Sequence, residues 1–178
     1  LRDDPGTRTA LGSSGLSRLG ARRGRQHERP SAAAVRAQLE ARIAAVPGAQ
    51  VAIAVRDLET GLRLDIRGDT LYHAASTMKV PVLFALFREF ESGRLAPTGT
   101  MRLENRFRSI VDQSTYALDP REDSDSTVYA RIGTDVPLRD LAERMITHSS
   151  NLATNALIGH LDAARITALT RTLGATRL

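Results

Sequence analysis

Between Val80 and Phe87 the chain carries its longest apolar run, VPVLFALF, inside a segment that reads as a helix from Thr77 to about Glu91, ended by Gly93. A helix apolar around most of its circumference must be enclosed by other elements, and this one is too short to span a bilayer. It therefore predicts a buried helix in a chain long enough for a substantial core. Pro81 falls in the first turn, where a missing N–H costs little. Directly ahead stands His73-Ala74-Ala75-Ser76-Thr77-Met78-Lys79, a serine at the mouth of a buried helix with a lysine one turn on.

That lysine is singular. The 178 residues hold 25 basic side chains, and Lys79 is the one that is not arginine. Arginine keeps its proton in any protein environment, whereas lysine loses it when desolvated and can then act as a base. Residues three apart on a helix share a face, so the Ser76 hydroxyl and the Lys79 amine can exchange a proton. The helix dipole and the backbone N–H of Ser76 would favour the oxyanion formed when a serine attacks a carbonyl. Alone, a lysine three after a serine is common, and the plain reading is a surface lysine.

The remaining pattern supplies surroundings. Ser31 reads as the N-cap of an amphipathic helix through Val35, Leu39, Ile43 and Val46, ending before Pro47-Gly48. Gln50 to Asp57 and Leu62 to Arg67 alternate apolar residues around Glu59-Thr60-Gly61 and predict a β-hairpin. Residues 98 to 136 read as irregular and polar, with Asp119, Glu122, Asp123 and Asp125 as a solvated acidic loop. The cluster lacks the glycine and terminal glutamate of a calcium loop. Thr134 or Asp135 is expected to cap a helix through Leu138, Leu141 and Met145. After Ser149-Ser150-Asn151 a further helix runs through Leu152, Leu157 and Leu161, and a last one spans Ala163 to Leu173. No internal repeat is visible.

Composition narrows the function classes. With no cysteine, disulfides and thiolate chemistry are excluded. His73, His148 and His160 show no metal-ligand spacing. The net charge of +5 sits mainly in residues 1–30, where seven arginines face Asp3, Asp4 and Glu28, leaving +1 for the rest. That distribution, with 4% aromatic content, argues against nucleic-acid binding. Residues 1–30, rich in Gly, Ser and Arg, are expected to be a disordered basic leader.

The two polar segments together, Ser76-x-x-Lys79 and Ser149-x-Asn151, resemble the penicillin-recognising serine hydrolases, most closely class A β-lactamases. The "HAASTMKVPVLFAL" helix, the "LAERMITHSSNLATNALIGHL" turn, the preceding hairpin and the order and spacing of the motifs carry the resemblance, over Ser31 to Leu178. It implies an α+β, β-lactamase/transpeptidase-like fold, with a helical domain beside an antiparallel sheet. Residues 31–75 would give an N-terminal helix and hairpin to the sheet part, and residues 76–178 the helical domain with both motifs. Ser76 would be the acylated nucleophile and Lys79 the proton acceptor or relay. Ser149 would pass a proton towards the leaving nitrogen, Asn151 would bind the substrate amide while holding Lys79, and Asn155 would steady the loop bearing a deacylating glutamate.

The resemblance further implies a serine acyl-enzyme mechanism on a small β-lactam or peptidoglycan-like substrate, with no cofactor or metal, no membrane span, a monomer, and a periplasmic or secreted location. Two departures bear on it. Ser150 stands where class A enzymes usually carry aspartate, a pattern shared with penicillin-binding proteins. No Lys-Thr-Gly occurs, and just two of the family's five sheet strands are present, so a truncated chain is expected, with an open hairpin edge exposing Val51, Ile53 and Val55. The alternatives are a penicillin-binding D,D-peptidase or esterase, or a non-catalytic fragment of the family.

Overall fold

The computed structural model describes residues 30–109 and 111–176, which fall into two compact units, one ending at Leu71 and the other beginning at Tyr72. The leader expected over residues 1–30 lies, apart from Pro30, outside the described residues.

In the first unit, helix α1 spans Ala32–Ala44 and opens on Ser31, whose hydroxyl accepts the Ala34 N–H at 3.2 Å. Val35, Leu39 and Ile43 form a half-buried stripe, while Val46 lies past the helix end and is exposed. Strands β1 (Ile53–Arg56) and β2 (Arg63–Ile66) pair antiparallel with Val55 opposite Leu64. Asp57 fixes the connecting turn. Its carboxylate accepts the Glu59 N–H at 2.8 Å and the Thr60 hydroxyl at 2.7 Å, and Gly61 supplies the left-handed residue at φ +73°. Helix α1 packs on β2, which buries Leu64 and Ile66. The open edge is only partly as expected: Val55 is exposed, but Val51 and Ile53 are half-buried.

The second unit is built around helix α2 (Lys79–Glu91), which packs against α3 (Leu138–Thr147), α4 (Asn151–Leu161) and α5 (Ala163–Thr172). Val82 and Leu86 of α2 meet Leu141 and Met145 of α3 and Leu152 and Leu157 of α4 in one closed apolar cluster. Each such side chain contributes about 1.5–3 kcal/mol by leaving water. The central apolar helix is not fully wrapped, however: Val80, Phe84 and Phe87 remain exposed along one side.

Residues 98 to 136 are more regular than their polar composition suggests. Strand β3 (Thr100–Arg102) pairs antiparallel with β6 (Asp135–Pro137), and β4 (Phe107–Arg108) pairs with β5 (Thr115–Tyr116). These strands are two or three residues long, too short for alternation to register as a pattern. The chain turns into β3 at Gly99, where a Cβ would sit 2.9 Å from the Ala96 carbonyl oxygen. The expected capping of α3 by Thr134 or Asp135 does not occur. Asp135 is drawn into β6, the Thr134 hydroxyl donates to the Arg131 carbonyl at 2.8 Å, and the Gly99 carbonyl takes the Leu138 N–H at 2.9 Å. A backbone acceptor from a distant loop has replaced the local side-chain cap.

Candidate active site

Ser76 does not open the α-helix itself. It lies in a single 3-10 turn, Ala75–Met78, that feeds α2. Ala75 enters that turn at φ +45°, a left-handed conformation costing a non-glycine residue about 1–2 kcal/mol. Because side chains three apart nearly eclipse in a 3-10 turn, Ser76 and Lys79 are brought to the same side. Ser76 is exposed, whereas Lys79 is only 4% exposed.

The turn between α3 and α4 supplies the other half. Ser149 sits at φ +60°, with the Ser150 N–H reaching back to the Arg144 carbonyl at 3.2 Å. Ser150 is the N-cap of α4: its fully buried hydroxyl accepts the Ala153 N–H at 3.2 Å. This reversal aims the Ser149 hydroxyl and the Asn151 amide at Lys79.

The amine is surrounded by oxygen. Lys79 Nζ donates to the Ser149 carbonyl at 2.6 Å, to Ser149 Oγ at 2.8 Å and to Asn151 Oδ1 at 3.0 Å, while Ser76 Oγ lies at 3.4 Å. Ser76 Oγ and Ser149 Oγ are 2.9 Å apart. A carbonyl and an amide oxygen can only accept, so each claims one N–H of the amine. One direction remains, and the nearest group along it is the Ser149 hydroxyl. With the amine neutral, its lone pair can accept from Ser149, whose oxygen can accept from Ser76. Burial pushes the Lys79 amine below its ordinary value of 10.5, and the negative charge of Asp123 works against that shift.

Asp123 is the residue that sequence reasoning missed. Its Oδ1 accepts the Asn151 N–H at 2.9 Å and the Asp125 N–H at 3.1 Å, and its Oδ2 accepts the Leu152 N–H at 2.8 Å and the Tyr129 hydroxyl at 3.1 Å. Burial alone would raise its pKa, but these four donors hold the carboxyl below its ordinary value. Asp125 is buried, where Asp123 is half-buried. Asp125 caps the 3-10 turn Ser126–Arg131 and accepts from Arg144 at 3.1 Å. The acidic segment is thus not a solvated loop at these two positions. An aspartate 28 residues from the helix it caps leaves no local signal; the Asp125-Ser126-Thr127 cap could have been read.

Asn155 lies one turn after Asn151 and donates to the Asn151 carbonyl at 3.0 Å, while its Oδ1 accepts the Tyr116 hydroxyl at 2.8 Å. The five residues named from sequence are therefore contiguous, with Asn155 joined through the Asn151 backbone. Elsewhere, His73 Nδ1 accepts the Ala75 N–H at 3.2 Å, and His148 Nδ1 pairs with the Thr147 hydroxyl at 2.7 Å. Among the described residues no group of three or more His, Asp or Glu side chains is placed to hold a metal, and no helix is long and apolar enough to cross a membrane.

Comparison with known proteins gives one consistent result. Residues 34–178 match the model of the Beta-lactamase enzyme family. A curated β-lactamase from Rhodobacter capsulatus is 31% identical over 121 residues, covering 68% of this chain and 37% of that protein. Among solved structures, PBP-A superposes with a TM-score of 0.61 at 25% identity, over 79% of this chain and 49% of its own. An ancestral class A β-lactamase superposes with a TM-score of 0.55 at 29% identity, over 78% and 47%. The fold is thus β-lactamase/transpeptidase-like. This chain spans about half the length of those structures and little more than a third of the curated relative.

Proposed function

The chain belongs to the β-lactamase enzyme family, and from there we propose that it carries the acylating half of a serine β-lactam hydrolase. Ser76 Oγ attacks the lactam carbonyl carbon, and its proton passes through Ser149 to the amine of Lys79. The tetrahedral oxyanion is met by the backbone N–H of Ser76 at the helix mouth. As the carbon–nitrogen bond breaks, the proton held by Lys79 returns through Ser149 to the departing nitrogen. The ring opens without losing an atom, so the ester on Ser76 weighs one whole lactam more than the free protein. Asn151 orients Lys79 and offers its amide N–H to the substrate's carbonyl. Water then cleaves the ester and releases the acid, while Asn155 braces the Asn151 backbone through this step.

One observation carries this reading: the sole lysine is buried against two serine hydroxyls, with Ser149 Oγ between Ser76 Oγ and Lys79 Nζ at 2.9 and 2.8 Å. The chemistry needs no cofactor or metal. An exported location and a monomeric state accompany the reading. Intact-mass measurement after treatment with benzylpenicillin tests it. An adduct of one penicillin mass that disappears in Ser76→Ala supports it, and an adduct that survives in Ser76→Ala defeats it.

Ser150 in the middle of the second motif and the likeness to PBP-A favour a second reading, a penicillin-binding D,D-peptidase. The same serine would then attack a peptide amide, and the amine product would leave. Persistence of the penicillin adduct over hours selects this reading, and its rapid loss selects the lactamase.

A further inference from the structure

Ser149 and Asn151 can hold an amine only if the turn carrying them is itself fixed, and the turn's own geometry does not ensure that. Ser149 occupies a left-handed conformation that a serine leaves readily. The one local cap, Ser150, reaches the Ala153 N–H and leaves the first N–H groups of α4 without a partner from its own side chain. Those first two groups, on Asn151 and Leu152, are taken instead by the two oxygens of Asp123 at 2.9 and 2.8 Å. The carboxylate is fixed from behind by the Asp125 N–H and the Tyr129 hydroxyl, so it is a rigid bracket and not a free acid.

We propose that Asp123 is the positioning residue of the acyl-transfer site: its carboxylate grips the N-terminus of α4 and so fixes the Ser149–Asn151 turn that holds the Lys79 amine against Ser76. The inference deepens the reading of this site as a serine acyl-transferring centre and rests on it. A second consequence follows from charge. Of the groups facing the amine, Ser76 from the first 3-10 turn and Ser149 and Asn151 from the α3–α4 junction are uncharged. Asp123, from the loop before the second 3-10 turn, acts on the amine as a negative charge and favours its protonated form. The residue that orders the base therefore also restrains its loss of a proton.

The singular lysine makes this measurable without any substrate. Protein grown on 13Cε-lysine gives one side-chain signal, whose shift against pH reports the Lys79 amine alone. In Asp123→Asn the titration midpoint is expected to move further down from the wild-type midpoint, because the opposing charge is gone. The grip is read separately in the same variant, where the Asn151 and Leu152 amides are expected to exchange with deuterated water faster than in the wild type; unchanged protection overturns the proposal, and a midpoint that stays or rises removes its electrostatic consequence. Should Asp123→Asn fail to fold, Asp123→Glu decides: it keeps the charge but displaces the grip. The amides of Asn151 and Leu152 are expected to exchange with deuterated water at least tenfold faster in that variant, and unchanged protection overturns the proposal. Neither measurement uses a β-lactam, so a failure to acylate Ser76 would count against the proposed function and leave both readable.

Discussion

The hydroxyl of Ser149 lies 2.9 Å from that of Ser76, half an ångström closer than the Lys79 amine at 3.4 Å. Each hop through Ser149, 2.9 Å and then 2.8 Å, is thus shorter than the direct 3.4 Å separation, so on the proposed mechanism the Ser76 proton is relayed in two close steps. Replacing Ser149 by alanine removes that path and leaves the lysine's other acceptors in place. The rate of Ser76 acylation by penicillin is expected to fall about 10²–10⁴-fold, the usual contribution of a positioned proton-transfer group. Stopped-flow acylation followed by intact mass reads it, and a loss below fivefold would return the role to a direct Ser76–Lys79 exchange.

Ser149→Gly separates chemistry from strain at the same position. Glycine adopts φ +60° freely, so relief of about 1–2 kcal/mol of left-handed strain offsets about 0.4–1 kcal/mol of added unfolded-state entropy. The glycine variant is expected to melt at or above the temperature of Ser149→Ala, with acylation slowed similarly in both. Calorimetry on the two variants checks the order.

Lys79→Arg keeps the charge and abolishes the base, since a guanidinium does not release its proton. Acylation is expected to vanish at every pH. In the wild type, burial depresses the amine's pKa, so the reactive neutral form gains population as pH rises and the acylation rate climbs with a midpoint below the ordinary lysine value of 10.5. The sign for stability is the same: between its folded and unfolded pKa values Lys79 binds less proton when folded, so its contribution becomes more favourable as pH rises through that window. A rate profile flat with pH would contradict the assignment.

Asp125 is buried and accepts from Arg144 at 3.1 Å and from the Thr127 hydroxyl. Burial acts to raise its pKa, but Thr127 and Arg144 hold it below 3.8. Its stabilisation is therefore present above the unfolded value and lost as pH falls through the lower folded one. Asp125→Asn is expected to cost about 1–3 kcal/mol at neutral pH, with the difference from wild type shrinking in acid. Melting curves at neutral pH and below pH 4 test both statements.

Leu157→Ala, at a fully buried position of α4, is expected to cost about 2–5 kcal/mol, while Leu58→Ala, at an 88% exposed turn position, should change stability by less than about 0.5 kcal/mol. Urea denaturation of the two variants gives the contrast.

How much of this was legible depends on the range of the interaction. The apolar periodicity of α2, α3 and α4 and the alternation of β1 and β2 are local, and each element appears within a few residues of its expected place. The Ser-x-x-Lys and Ser-x-Asn segments could be named because together, with their flanking residues, they resemble a known family, whereas either spacing alone is weak. That Ser76 would sit in a 3-10 turn was hidden, since it depends on the left-handed backbone at Ala75, which no side chain signals. Asp123 was hidden for another reason: the Asn151 and Leu152 N–H groups it accepts lie 28 and 29 residues away, and one sequence carries no trace of which distant N–H an aspartate will meet. The β3–β6 pairing likewise depends on a partner 33 to 37 residues away.

Ser150 stands where class A enzymes usually carry aspartate, and it is the buried N-cap of α4. Serine and aspartate are near-equal as N-cap acceptors of a helix's first N–H groups. The middle letter of that triplet therefore tolerates exchange within a class of residues sharing one geometric duty, while the letters on either side face the Lys79 amine. A departure that reads as doubt about kinship when spelled in one-letter code becomes, in three dimensions, a synonym.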